Sequence, residues 1–375
     1  MSDLKFKILL VVALLISLSS CNDKAQRSDL PAWAIGPFER PEGINPIIIP
    51  QETTFYCPVT EDTIPWENGD TFNPAAIVKN DTICVLYRAE DRSGKGIGQR
   101  TSRIGYAQSV DGLSIVKKAN APVLFPAKDE QQELEWPGGC EDPRVAVTED
   151  GTYVILYTQW NRKQARLAVA LSKDLIHWEK HGPVFKKAYN GKFADRFSKS
   201  ASIITKLQDG KLVISKINGK YLMYWGEKHV FAATSTDLIN WEPLVDENQN
   251  LIPLASPREG YFDSELTECG PPAVLTDKGI VLIYNGKNKA GAEGDTTYTA
   301  NAYCAGQFLF DKNDPYKVID RLDTPFLVPE ASFEKSGQYP AGTVFVEGLV
   351  YHHNKWYLYY GCADSKVAVV VCTKN

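Results

Sequence analysis

Histidine is scarce in this chain, with five in 375 residues. His177 and His181 are four apart, but they lie in HWEKH, a stretch of strand and turn character, so a helical metal-binding pair is not expected. No two cysteines stand in a Cys-x-x-Cys spacing, which removes the usual zinc and thiol-redox motifs. There is no Gly-rich phosphate loop and no Gly-x-Ser-x-Gly elbow. Positive charge is short as well. The net charge is −5 and no basic stripe occurs, which argues against nucleic acid as a partner. Long amphipathic helix patterns are missing, and so are Ser/Gly-rich interior linkers. No metal and no organic cofactor are therefore expected.

What is present begins at the N-terminus. Lys5 and Lys7 precede the apolar run ILLVVALLISLSS, and Cys21 follows it. A basic start, a short apolar core and small residues at its end read as an export signal. The Leu-Ser-Ser-Cys ending resembles a bacterial lipoprotein signal. Residues 1–20 would then be removed, and Cys21 would carry the lipid. An ordinary signal peptide or an N-terminal anchor are the other readings. NDKAQRSDLPAW has little periodicity, so residues 21–40 are expected to form a tether and 41–375 the folded domain. The implied location is outside the cytoplasm, anchored to a bacterial membrane on its periplasmic or surface face. No second apolar run is long enough to cross a bilayer. Seven cysteines remain after Cys21. They are expected mostly as small buried residues, although export permits a disulfide.

Three segments repeat: IGYAQSVDG, LAVALSKDL and VFAATSTDL. Their serines, Ser109, Ser172 and Ser235, are 63 residues apart in each step. The second and third continue as LIHWEK and LINWEP, with Trp178 and Trp241 in matching places. A fixed period of this kind signals stacked or radial supersecondary units. Runs such as GTYVILYTQW, GKLVISKI and KWYLYYGCAD are rich in β-branched and aromatic residues and bounded by turn formers. The interval divides the folded domain between five and six times. The expectation is an all-β, five-bladed β-propeller with its active site at the axial channel; a large sandwich or a β-helix is the other solution. The Ser-x-Asp pairs need only a structural role, since both side chains bond nearby backbone in turns.

Polar groups abut apolar strands at one point of each repeat. They include Asn73 in FNPAAI, Arg88 in LYRAEDRS, Arg103 in SRIGYA, Lys199 in FSKSASI, Glu227 in YWGE, Asp263 and Glu268 in FDSELTECGPP, and Asp364 in YYGCADS. The densest is WPGGCEDPRVAV, residues 136–147, which sets Glu141, Asp142, Pro143 and Arg144 at the mouth of a strand. A pocket rich in carboxylates, arginines and aromatics suits sugars, and glycosidic cleavage commonly needs an acid and a base.

These stretches, from about Asn73 to Asp364, resemble glycoside hydrolase family 130. The Glu-Asp-Pro-Arg element is the most specific of them. The resemblance implies a five-bladed propeller acting on β-mannosides, with Asp142 as proton donor working through a mannose hydroxyl. In that reading Pro143 fixes the turn, and Gly138 and Gly139 let the backbone approach substrate. Asn73, Arg88, Arg103, Arg144, Lys199, Asp263 and Asp364 are then sugar contacts.

Departures from the family pattern carry the finer expectation. Phosphorylases of the family have His-Arg-Pro where this chain has Trp225, Gly226 and Glu227. They have Tyr-His-Gly where it has Tyr284, Asn285 and Gly286. Basic groups are replaced and an acid is gained, with Glu268 expected nearby. This resembles the exported Bacteroides-type β-1,2-mannosidases, with Glu227 and Glu268 as base candidates. The expected substrate is a mannose-containing oligosaccharide, cleaved from its end with inversion. A phosphorylase releasing mannose 1-phosphate is one alternative, and a non-catalytic glycan-binding surface lipoprotein is another.

Overall fold

The computed structural model describes residues 30–373; Cys21 and the export segment lie outside the described residues. Within them the chain is nearly all strand. Helix is confined to Gln132–Glu135 and two short 3-10 turns. The strands form consecutive antiparallel units. The first is Asp70–Lys79, Thr82–Glu90 and Ser102–Ser109. The second is Gly139–Val147, Tyr153–Trp160, Ala165–Ser172 and Glu179–Pro183. Next come Ala201–Gln208, Lys220–Trp225, Phe231–Ser235 and Trp241–Pro243. After these lie Leu266–Cys269 and Ala273–Leu275, both on Ile280–Lys287, followed by Tyr303–Phe310 and Val318–Arg321. The last unit is Val344–His352, Lys355–Cys362 and Lys366–Cys372.

Period-2 geometry explains how the units pack. Successive side chains leave a strand on opposite faces, and here both faces are buried. Ala75 and Ile77 enter one apolar cluster with Val145, Val147 and Ile155 of the second unit. Ala76, between them, enters another with Val350, Tyr357 and Tyr359 of the last unit. Three further clusters join the second unit to the third, the third to the fourth and the fourth to the last. A strand that faces two neighbours needs a nearly continuous apolar run, which is why FNPAAIV and YVILY do not alternate with polar residues.

The segment before the first unit closes the assembly. Glu39 N donates to Val371 O at 2.8 Å, and Ile47 N donates to Val367 O at 2.8 Å. Asn45 bonds both backbone groups of Val369. The exposed edge of the final strand is thereby covered by chain more than 300 residues away in sequence, removing a site for edge-to-edge association. Ile35 and Phe38, within the stretch read from sequence as a tether, are buried in the cluster between the fourth and last units. Arg40 pairs with Glu334 at 2.8 Å. Packed structure thus begins before residue 41.

The repeated Ser-x-Asp elements are turn locks. Ser109, Ser172 and Ser235 donate to Asp111, Asp174 and Asp237 at 2.9, 3.2 and 3.0 Å. Each aspartate also accepts two backbone N–H groups of its own turn. All seven remaining cysteines are buried.

Phe38→Ala should cost about 3–5 kcal/mol, the range for emptying a buried aromatic site. Ile49→Ala, at a residue that is 48% exposed, should stay within about 0.5 kcal/mol of wild type. Urea unfolding of the two variants checks this. Equal, small effects would mean that the N-terminal segment is not part of the cooperative fold.

Candidate active site

The site is built from interruptions in strand pairing. In the first strand the register shifts between Phe72 and Pro74, leaving Asn73 in a bulge at φ 46°. In Gly139–Val147 it shifts between Glu141 and Arg144, so Asp142 and Pro143 bulge together, with Asp142 at φ 48°. Proline cannot donate to a ladder and is tolerated at a bulge. Asparagine and aspartate are the non-glycine residues that best accept positive φ. A bulge re-aims its side chain, and these two meet: Asn73 Nδ2 donates to Asp142 Oδ1 at 2.8 Å. That meeting is the structural use of the Glu-Asp-Pro-Arg element.

Arg88 lies between the carboxylates. Its Nη1 is 3.0 Å from Asp142 Oδ1, and its Nη2 reaches Glu90 Oε1 at 2.6 Å and Glu141 Oε1 at 2.8 Å. Its Nε donates to Ser102 Oγ at 3.0 Å, and its guanidinium lies over the Phe72 ring. Arg88 and Glu90 are two apart on one strand, hence on one face.

A second group faces them. Lys199 Nζ lies 3.2 Å from Glu227 Oε1 and 3.4 Å from Glu268 Oε1. Ser200 donates to Glu268 through its hydroxyl. Local pairing explains why the two glutamates converge. Gly226 N donates to Ser200 O at 2.9 Å, Cys269 N to Gly226 O at 3.1 Å, and Thr267 N to Glu227 O at 3.2 Å. Gly226 is at φ 122°, and a Cβ there would lie 2.2 Å from His229 O, so only glycine fits.

Both groups line one cavity of about 230 Å³, together with Asp364, Phe72, Tyr303, Gln338, Tyr339 and Phe345. Its charged lining comprises Glu90, Glu141, Asp142, Glu227, Glu268 and Asp364 against Arg88 and Lys199. Burial pushes the Glu141 carboxyl up to about 7 and, with repulsion from Asp142 and Glu90 added, outweighs the opposing pull of Arg88. Asp364 is likewise pushed up to about 7, first by burial and then by Asp142 and Glu90. Burial acts on Asp142 in the same direction, but Arg88, Lys199, Arg144 and the Asn73 hydrogen bond overcome it and hold Asp142 low. Glu141 and Asp142 share Arg88, so their protons belong to the pair and not to one residue. Glu268 is raised by burial and by Glu227, against Lys199.

The structure brings Asn73, Arg88, Asp142, Lys199, Glu227, Glu268 and Asp364 together at this cavity. The other expected sugar contacts lie elsewhere. Arg103 packs over Phe55 and pairs with Asp91 at 2.8 Å, away from the cavity lining. Asp263 accepts from the Tyr284 hydroxyl at 2.5 Å and from Arg258 and Arg321, tying down the long connection after Pro243. Arg144 sits behind the lining. It bonds Asp142 O at 3.0 Å and Cys269 O at 2.9 Å, and pairs with Glu347 at 3.0 Å. It is a strut between the strands carrying Asp142 and Glu268. Gly138 and Gly139 serve chain packing: added Cβ atoms would meet Trp160 at 2.3 Å and Ser102 O at 2.1 Å. Asn285 is buried too, and it closes both backbone groups of Val346.

Sequence reasoning missed Glu90, Glu347, Tyr303 and Gln338. Glu90 was within reach, since it lies in LYRAEDRS two residues from Arg88. Glu347 sits in a third bulge, between Val346 and Gly348. Tyr303 and Gln338 stand outside the repeated segments and carry no local signal.

A raised Asp364 has a signed consequence. Folded, it keeps its proton to about pH 7; unfolded, only to about pH 4. Its contribution to stability is full below the unfolded value and is lost as pH rises through the folded one. Asp364→Asn should therefore gain stability over wild type as pH climbs from about 4 to about 8. Urea midpoints across that range check this. A difference independent of pH would mean that Asp364 ionises normally in the fold.

Comparison with known proteins gives the chain a family. Residues 44–375 match the glycoside hydrolase family 130 model, described as beta-1,4-mannooligosaccharide phosphorylase. A 1,2-beta-oligomannan phosphorylase of Thermoanaerobacter sp. (strain X514) is 34% identical over 311 residues, 82% of this chain and 90% of that protein. A glycosyl hydrolase from Bacteroides ovatus is 64% identical, with a TM-score of 0.89 over 91% of this chain and 95% of that one. A further structure, from work on family 130 glycoside hydrolases that target β-1,2-mannosidic linkages in Candida mannan, is 62% identical. Its TM-score is 0.90 over 91% of this chain and 95% of that one. This nearly all-β chain, with its bulge-built carboxylate cavity, belongs to glycoside hydrolase family 130, a propeller-like family of mannoside-processing enzymes.

Proposed function

We propose that this chain is an exo-acting β-mannosidase that hydrolyses terminal, β-1,2-linked mannose with inversion. The observation that carries this reading is the placement of Lys199 between Glu227 and Glu268, facing Asp142 across one cavity. One cation against two carboxylates leaves this side of the cavity net negative when both are ionised. Phosphate, a dianion at neutral pH, requires a surplus of cationic donors. Two unit charges about 4 Å apart interact by about 4 kcal/mol at an effective dielectric of about 20, so one excess carboxylate weakens phosphate binding strongly. Water needs only a base.

In this mechanism the mannose ring sits between the two groups. Glu268, with Glu227 beside it, takes a proton from water as the water oxygen bonds the anomeric carbon. The bond to the leaving oxygen breaks on the other face. The Glu141–Asp142 pair returns a proton to that oxygen through a mannose hydroxyl, with Asp142 aimed by Asn73 and Arg88. Asp364 and Tyr303 contact the ring. We read the five antiparallel units as propeller blades because their five shared clusters close in a cycle. The cavity then lies at one end of the axis. The Lys5-to-Cys21 segment supports export and lipid anchoring at Cys21; Cys21→Ala should abolish incorporation of labelled palmitate in a Gram-negative host, and retained label would refute the anchor.

Asp142→Asn should lower turnover by about a hundred- to ten-thousand-fold, the usual worth of a general acid. Glu227→Gln and Glu268→Gln should each slow the reaction strongly. Wild-type kcat/KM should fall as pH rises above about 7, where the Glu141–Asp142 pair loses its shared proton. The deciding measurement is β-1,2-mannobiose in phosphate buffer, with free mannose expected and α-mannose seen first by proton NMR. Mannose 1-phosphate as main product, dependent on phosphate, would make the chain a phosphorylase. Tight binding without turnover would make it a glycan-binding protein.

A further inference from the structure

The carboxylate cavity lies at one end of the first unit's strands, and a separate polar group lies at the other. The first unit turns from Asp70–Lys79 to Thr82–Glu90 through Asn80 and Asp81. The last unit turns from Val344–His352 to Lys355–Cys362 through His353 and Asn354. All four turn residues have positive φ, between 46° and 60°, the conformation of a tight two-residue hairpin. The two units share an apolar cluster, and packing them brings these turns together. His353 Nε2 lies 2.8 Å from Asp81 Oδ1, and His352 Nδ1 lies 3.8 Å from the same oxygen. The two imidazole rings stack with centroids 3.8 Å apart.

A surface His–Asp ion pair accounts for His353 and Asp81, whose side chains are 61% and 75% exposed. It does not account for His352. That residue is 3% exposed, yet its Nε2 has no hydrogen-bond partner among the described residues. A histidine buried for structure alone uses its ring nitrogens. The 3.8 Å between Nδ1 and Asp81 is too long for a hydrogen bond. It is close to the spacing of two ligands on one zinc ion, since bonds of about 2.0–2.2 Å in a tetrahedron set ligand atoms about 3.4 Å apart. The three ligand atoms lie within 4.8 Å of one another, and the exposed side chains of His353 and Asp81 have room to close the remainder. Burial, with His353 beside it, holds the His352 pKa below the usual imidazole value, so the ring keeps a lone pair at neutral pH. Two imidazoles and a carboxylate, with solvent on the outer side for a fourth ligand, are a zinc-binding set. The histidines are neighbours in sequence and the aspartate is 272 positions from His353, so no local spacing motif announces it.

We propose that Asp81, His352 and His353 bind a Zn²⁺ ion that ties the first unit to the last. Asp81 stands at the far end of its hairpin from Asn73, roughly 20 Å along the strand. The site is therefore distinct from the carboxylate cavity and does not rest on the hydrolase reading. Titration calorimetry of the chelator-treated protein with zinc chloride should show one Zn²⁺ per chain with micromolar affinity. The seven described cysteines are buried and do not compete in the native state. Mg²⁺, which prefers oxygen ligands, should not bind. At about ten times Kd, zinc should slow amide hydrogen exchange about tenfold in both turns, 80–81 and 353–354, wherever they open locally. Asp81→Asn and His353→Ala alter exposed side chains, so both variants should fold. Each should weaken zinc binding by about tenfold or more, since even outer-shell partners of a metal are worth about ten- to a hundredfold. His177→Ala removes another exposed His–Asp pair, His177 with Asp174 at 2.7 Å, and should bind zinc as wild type does. No saturable zinc binding, unchanged affinity in His353→Ala, loss of binding in His177→Ala, or protection of one turn without the other would each overturn the proposal.

Discussion

The Arg88 guanidinium is the contact on which the rest of the cavity depends. Three carboxylates, from Glu90, Glu141 and Asp142, converge on it within 3.0 Å, and all four side chains are buried. Buried like charges without a cation would each take up a proton or force the strands apart. A lysine is a point charge and could not serve these directions at once; the planar fork serves them and Ser102 as well. Asn73 completes the arrangement from the neighbouring strand. Its own placement needs Gly361, where any Cβ would stand 2.4 Å from Asn73 Oδ1.

Around that contact the fold gives up regular pairing only where a side chain must be turned. Asn73, Asp142 and Glu347 each occupy a bulge in the opening strand of a unit. The lost ladder bonds are replaced locally. Asn285 satisfies both backbone groups of Val346 beside the third bulge, and Arg144 caps the carbonyls of Asp142 and Cys269. Rigid, fully buried strands on both sides keep these irregularities in one arrangement. The result is a split in carboxyl behaviour set by surroundings alone. The cations pull Asp142 low and burial pushes Glu141 up, so the pair keeps one shared proton to about 7, as Asp364 keeps its own. Pairs of carboxyls pushed apart in this way are what acid–base chemistry on sugars requires.

Much of this was legible from the residues alone. The 63-residue spacing of Ser109, Ser172 and Ser235 and the strand-like runs implied a repeated all-β architecture, because side-chain period and turn chemistry are local properties. The Glu-Asp-Pro-Arg element marked the candidate site, because charged groups crowd the mouth of an apolar strand there and the motif resembles that of glycoside hydrolase family 130. Lys199, Glu227, Glu268 and Asp364 followed from charge beside apolar strands, and all of them reach the cavity.

Only the tertiary structure separated groups that look alike in sequence. Arg88 and Arg103 both sit on strands of the first unit, yet one joins the cavity and the other packs on Phe55 with Asp91. Asp263 and Glu268 share one short segment, but the first fastens a loop and the second faces Lys199. Tyr303 and Gln338 come to the cavity from connections with no motif. Ile35 and Phe38 enter a core built from residues about 175 to 340 positions later. Sequence determined which segments become strands and which turns join them, since those depend on near neighbours. Which face a charged side chain joins depends on distant strands closing around it, and that was fixed only when the whole chain packed.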